Sequence, residues 1–223
     1  MNTNANTKRI LSWAVFIIII ALIVWGLIAA QNKAAREGQA ILLPSDIATS
    51  TDHIRGSSIA PVTLVEYGDF ECPACGAYHP LVEQVIAAEG PDALRFVFRN
   101  FPLSQHVNAV PGAQAAEAAG LQGKYWEMYN MLYEKQADWV NSTDPKSIFT
   151  DYAKSMGLDT AKFSTDYDSQ AVKDKINNDY KGGANAGINS TPTFFINGTQ
   201  ITNPQSYDDF KKLIDDSVPK LNL

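Results

Sequence analysis

Apolar positions along this chain fall into three regimes. From Ile10 to Ala30 they form one run of 21 residues without a charged side chain. From Gln31 to about Ser58 they thin out among charged, Pro, Ser, Thr and Asp residues, with Ile41-Leu42-Leu43 the one short apolar group. From Ile59 onward they recur with the spacings of folded elements. Val62 to Tyr67 is rich in β-branched and aromatic residues and predicts a strand, broken by Gly68-Asp69. After Cys72-Pro73 the spacing turns helical, with Leu81, Val82, Val85 and Ile86 on one side of Ala74 to Ala88, and Gly90-Pro91 ends the run. Leu94 to Phe98 predicts a second strand.

The middle of the chain, about 103–188, is helical by pattern. Ala113 to Leu121 is alanine-rich, and Tyr125 to Tyr133 carries aromatics and methionines at helical spacing. Asp144-Pro145 reads as an N-cap followed by proline at the first helical position. Helices over Lys146 to Met156 and Thr160 to Lys181 follow, punctuated by Gly157 and Gly182-Gly183. Thr193 to Ile196 predicts a third strand, Asn197-Gly198 a hairpin turn, and Gln200 to Thr202 a returning strand. An amphipathic helix over Tyr207 to Val218, with Phe210, Leu213 and Ile214 inward, closes the domain. A strand–helix–strand unit implies a parallel crossover and a hairpin adds an antiparallel pair, so the expected class is α/β with a mixed sheet.

The run at 10–30 is long enough to cross a hydrocarbon core of about 30 Å at about 1.5 Å per residue. Trp13 and Trp25 lie near its ends, where amphipathic rings settle at interfaces. It is longer than a signal-peptide core, and Ala29-Ala30 offers only half of a cleavage pattern, so it reads as an uncleaved anchor. Lys8-Arg9 before it keeps 1–9 cytoplasmic and directs the rest outside, to an extracytoplasmic domain on a single-pass cell-membrane anchor. Residues 31–58 then serve as a tether to a domain at 59–223. The net charge of −6 gives no basic footprint for nucleic acid.

The chain has only two cysteines, Cys72 and Cys75, one helical turn apart. At the start of a helix the first thiol meets the free backbone N–H groups and the positive end of the helix dipole. These stabilise thiolate over thiol, which makes Cys72 a nucleophile and a good leaving group. Cys75 is then close enough to attack a mixed disulfide at Cys72. Pro73 suits the first turn because its missing N–H would lack a partner there. Phe70, Gly76 and Ala77 are expected to leave room for a substrate chain. A zinc site would need two further ligands, and His53, His79 and His106 lack the usual spacing. Haem attachment would need His where Gly76 stands. A disulfide closing so short a loop would stabilise weakly, so redox chemistry is the expected role. No metal or added cofactor is implied beyond a redox-active Cys72–Cys75 disulfide.

The segment Val62 to Cys75, Val-Thr-Leu-Val-Glu-Tyr-Gly-Asp-Phe-Glu-Cys-Pro-Ala-Cys, resembles the active-site segment of the DsbA family, particularly its membrane-anchored extracytoplasmic branch. Thr191 to Gly198, Thr-Pro-Thr-Phe-Phe-Ile-Asn-Gly, resembles the same family's second signature. The resemblance spans about Ile59 to Val218. It implies a thioredoxin-like fold with an inserted helical domain, and a cis-proline at Pro192 packed opposite the cysteines. It further implies that Cys72 is the exposed attacking cysteine and Cys75 the buried resolving one. Thr191, Pro192, Pro73 and Ala74 would form the substrate-binding surface. Glu66 matches the family's buried acid, as either a proton carrier for Cys75 or the partner of a core cation such as Arg99. His79 is expected to pack on the helix, and Tyr125, Trp126, Tyr129 and Tyr133 to be core.

An oxidising compartment, and a tether too short for a dimerisation module, favour disulfide formation in exported or surface proteins. Such an oxidase needs a membrane thiol oxidase coupled to a quinone to remove its electrons. A reductase or isomerase, or a membrane-tethered copper or peptide carrier, remain the alternatives, since paired thiolates also suit copper(I).

Overall fold

The computed structural model describes residues 51–218, together with Trp13. The expected anchor at 10–30, apart from Trp13, and the tether up to residue 50 lie outside the described residues. Among the described residues no helix is long and apolar enough to cross a membrane. The chain divides into two units at about residue 40, and the described elements below belong to the C-terminal one.

Five strands form one sheet in the order β1-β3-β2-β4-β5. They are β1 (His53–Arg55), β2 (Val62–Gly68), β3 (Leu94–Asn100), β4 (Thr193–Ile196) and β5 (Thr199–Gln200). β2 and β3 run parallel, joined by helix α1 (Pro73–Glu89), while every other neighbouring pair is antiparallel. The sheet is thus mixed, as the pattern predicts. Its central strands are buried on both faces. Leu64, Phe96, Phe98, Phe194 and Ile196 join the larger core with α1 and the helical segment. Val65, Tyr67, Val97, Phe101 and Phe195 form a smaller core on the opposite face.

Between β3 and β4 lie six helices: α2 (Ala109–Gly120), α3 (Tyr125–Glu134), α4 (Gln136–Trp139), α5 (Pro145–Ser155), α6 (Thr160–Tyr167) and α7 (Gln170–Asn185). Helix α8 (Tyr207–Ser217) follows the hairpin. Asp144 caps α5 by accepting from the Ser147 N–H, as Asp144-Pro145 predicts. Tyr125, Tyr129 and Tyr133 are buried, and Trp126 packs against the same core.

Four local expectations are corrected. His53–Arg55, within the stretch read as tether, is an edge strand paired with Phe96–Phe98. The single helix expected over Thr160 to Lys181 is two, because Ser169 turns the chain and caps α7 through the Val172 N–H. Gly182-Gly183 lies inside α7 rather than ending it. A Cβ on Gly183 would lie 2.8 Å from the Phe101 ring and 2.9 Å from Tyr67, so packing against the sheet demands glycine there. The returning strand is Thr199–Gln200, shorter and earlier than expected.

Candidate active site

Strand β2 delivers the chain to the site. Glu66 faces the larger core, and Gly68 ends the strand. Asp69 then organises the turn: its Oδ1 accepts from the Glu71 N–H at 2.8 Å, and its backbone carbonyl accepts from the Cys72 N–H at 3.1 Å. Cys72 is the N-cap of α1, in extended backbone conformation, with Pro73 opening the helix. Cys75, one turn on, is fully buried, while Cys72 keeps 6 % of its surface. The expectation of an exposed Cys72 is therefore corrected: only a narrow part of it is open, between the exposed Pro73 and Ala74 and the chain around Thr191. Both cysteines are free thiols.

The Thr191–Pro192 peptide is cis. It places the Thr191 carbonyl 3.5 Å from Cys72 Sγ, where the thiol donates to it. Asn203 Nδ2 donates to the Pro192 carbonyl at 2.8 Å and fixes this loop from the other side. The Thr191 hydroxyl oxygen is buried and has no hydrogen-bond partner among the described residues. Deprotonation of Cys72 exchanges one donated bond for several accepted ones. The Cys75 thiol contributes most, against the opposing effect of burial, and Thr191 and the backbone N–H groups of Cys75 and Ala74 add to it. The Cys72 pKa is lowered to about 5. Cys75 moves the other way: burial, the hydrogen bond it gives to Cys72, and the fields of Glu66 and Cys72 push it well above the ordinary thiol range. One thiolate and one thiol, side by side, are the favoured reduced state.

Glu66 is wholly buried and its Oε2 makes no hydrogen bond among the described residues. Burial, then Glu83, then Cys72 raise its pKa to about 8, so it is a neutral acid at pH 7. The alternative that it pairs with Arg99 is corrected by strand alternation. Glu66 stands opposite Phe98, whereas Tyr67 stands opposite Arg99 on the other face. Arg99 donates to Tyr67 Oη at 2.9 Å and to both carboxylate oxygens of Asp52.

The space expected beside Phe70 and Gly76 for a substrate chain is filled. Phe70 is buried against Phe98, Tyr129 and Tyr133. Gln136, at the start of α4, donates from Nε2 to the carbonyls of Phe70 at 2.8 Å and Cys72 at 3.0 Å. A Cβ on Gly76 would lie 2.7 Å from Gln136 Oε1, so glycine admits this clamp. His79 is buried against Tyr129 and Tyr133, as expected of a packing residue, and lies 3.2 Å from Asn130 Oδ1. The sequence pattern does not assign Gln136, because the carbonyls it clamps lie more than sixty residues earlier in the chain, nor Asn203, whose partner Pro192 is reached only across the hairpin.

A dithiol capping a helix, faced by a cis Thr-Pro peptide on a mixed sheet with inserted helices, is the architecture of a thioredoxin-fold redox protein. A family model described as Thioredoxin matches residues 48–216, and the chain belongs to that family. The fold is that of BdbD from Bacillus subtilis, with a TM-score of 0.70 and 24% identity over 81% of this chain and 99% of that one. Wolbachia pipientis alpha-DsbA1 superposes with a TM-score of 0.68 and 24% identity over 80% and 94% of the two chains. The catalytic domain of Proteus mirabilis ScsC gives 0.64 and 19% identity over 78% and 94%. Curated relatives include the Na(+)/H(+) antiporter NhaA 1 of Mycolicibacterium gilvum, 39% identical over 75% of this chain. That of Mycolicibacterium vanbaalenii is 40% identical over 69%. This chain spans about a quarter of their length, 26% and 24%.

Proposed function

We propose that the protein is a thiol–disulfide oxidoreductase that transfers a Cys72–Cys75 disulfide to the thiols of exported or surface proteins. The observation that carries this reading is the geometry of the pair: Cys72 caps α1 with its Sγ 3.5 Å from the Thr191 carbonyl, and Cys75 is buried one turn on. That arrangement lowers the Cys72 pKa to about 5 and raises that of Cys75. A substrate thiolate attacks Cys72 Sγ, the Cys72–Cys75 bond breaks, and Cys75 leaves with the electron pair. As a high-pKa thiolate it takes up a proton, and Glu66, neutral at pH 7, is the nearby acid that supplies it. A second substrate thiolate then attacks the substrate sulfur of the mixed disulfide, and Cys72 leaves as a stabilised thiolate. The substrate has lost two electrons and the protein has gained them. Pro73, Ala74, Thr191 and Pro192 border the open side of Cys72 and would contact the substrate chain.

The apolar run at 10–30 behind Lys8-Arg9 supports a single-pass membrane anchor with this domain outside. There the reduced pair would be returned to disulfide by a membrane thiol oxidase coupled to a quinone. The antiporter activity in the relatives' names is that of much longer proteins and is not transferred.

Cys75→Ser separates this reading from a tethered copper or peptide carrier. Without the resolving thiol, Cys72 of the full-length variant is expected to accumulate mixed disulfides with partner proteins, seen as reductant-sensitive adducts on non-reducing gels. Adducts should vanish in a Cys72→Ser, Cys75→Ser double variant. Binding without any covalent adduct would instead support the carrier.

A further inference from the structure

The turn before Cys72 is bonded to a second loop, 101–108, which connects β3 to α2. Asp69 has no exposed side-chain surface, and its Oδ2 accepts from the Leu103 N–H at 2.9 Å and lies 2.7 Å from His106 Nδ1. Glu71, two residues on, accepts from the Asn108 N–H through Oε2. A buried carboxylate is thus held at the base of the cysteine turn, three residues from Cys72. Alone, its charge would oppose a thiolate at Cys72.

We propose that His106, carried as an imidazolium on the Asp69 carboxylate, is a positioning residue that offsets this charge and favours the Cys72 thiolate from outside the Cys-x-x-Cys segment. Ala74 between the cysteines carries no charge to do so. The inference rests on Cys72 being the redox nucleophile. The charged groups that act on His106 are Asp69, Cys72 and Glu71. Burial lowers its proton affinity, but the Asp69 hydrogen bond and the fields of all three raise it above the ordinary value. Above about pH 5, and up to its own raised pKa, the His106 imidazolium therefore coexists with the Cys72 thiolate. Such coupling is reciprocal: whatever the thiolate adds to His106 proton affinity, the imidazolium adds to Cys72 acidity.

Reciprocity supplies a test on the unaltered protein. NMR titration of the His106 imidazole in the full-length chain is run once as dithiol and once as disulfide, with His106→Gln assigning the signal. Proton affinity is expected to be about three- to tenfold higher in the dithiol form, where the thiolate is present. Equal titration in both forms would overturn the inference. In His106→Gln the thiolate absorbance of Cys72 should move to higher pH, and the dithiol–disulfide equilibrium constant should shift by the same three- to tenfold toward disulfide, or about 15 to 30 mV. His106→Lys, which keeps a cation, should restore much of both. If Gln and Lys behave alike, the role is structural and the inference fails. If no reversible disulfide forms at all, the oxidoreductase reading fails instead; an intact couple with unchanged His106 titration defeats this inference alone.

Discussion

Oxidised protein carrying Glu66→Gln is expected to lose a pH dependence of stability that the unaltered chain shows between about pH 5 and pH 8. The Glu66 pKa is raised from 4.5 to about 8 in the fold, first by burial, then by Glu83 and Cys72. The folded state therefore holds a proton that the unfolded state releases, and stability falls as pH rises through this window. At about 1.4 kcal/mol per unit, the fall is on the order of 4 kcal/mol by pH 8 for the dithiol form and smaller in the disulfide form, where burial and Glu83 remain but the Cys72 charge is absent. Working with the disulfide form keeps Cys72 from titrating, so the difference between the two profiles isolates Glu66. Chemical denaturation at a series of pH values measures it, and parallel profiles would mean that Glu66 is ionised in the fold. The same substitution should slow resolution at Cys75 most where a neutral acid is needed, near neutral pH.

The second large effect has the opposite sign. In the dithiol form the Cys72 pKa is depressed from 9.0 to about 5. Its contribution to stability is complete above the unfolded thiol pKa and is lost as pH falls through about 5. Between pH 5 and pH 8 the dithiol form should gain on the order of 3 kcal/mol over the disulfide form, after allowance for solvent screening at the open side of Cys72. The disulfide closes so short a loop that its own chain-entropy gain is about 2 kcal/mol. The order of stability is therefore expected to invert: disulfide above dithiol near pH 5, dithiol above disulfide near pH 8. Melting both forms across this range would show the crossing. Parallel profiles would mean that the thiolate is not stabilised.

Where the sequence pattern and the structure agree, the reason is periodicity. Val62 to Tyr67, Leu94 to Phe98 and Thr193 to Ile196 are strands buried on both faces, and their β-branched and aromatic runs say so directly. The three residues of β1 have no such run, because an edge strand buries little and takes its conformation from Phe96–Phe98 beside it. Gly182-Gly183 misleads for a related cause: the ring of Phe101, about eighty residues earlier, rather than helix propensity, decides what fits. The site divides in the same way. Cys72, Cys75, Thr191 and Pro192 are legible as two short signatures, and the fold brings Thr191 onto Cys72. Asp69 reads only as a strand breaker, and His106 and Gln136 as polar residues in helical surroundings. Their partners are set by how the inserted helices return to the cysteine turn.

The central claim, that Cys72–Cys75 is a disulfide donor, is tested most directly by its equilibrium reduction potential against glutathione buffers in the full-length chain. A thiolate held at a pKa of about 5 stabilises the reduced form, so the potential is expected toward the oxidising end, near about −120 mV. A value near about −270 mV, that of a reductant, would contradict the account.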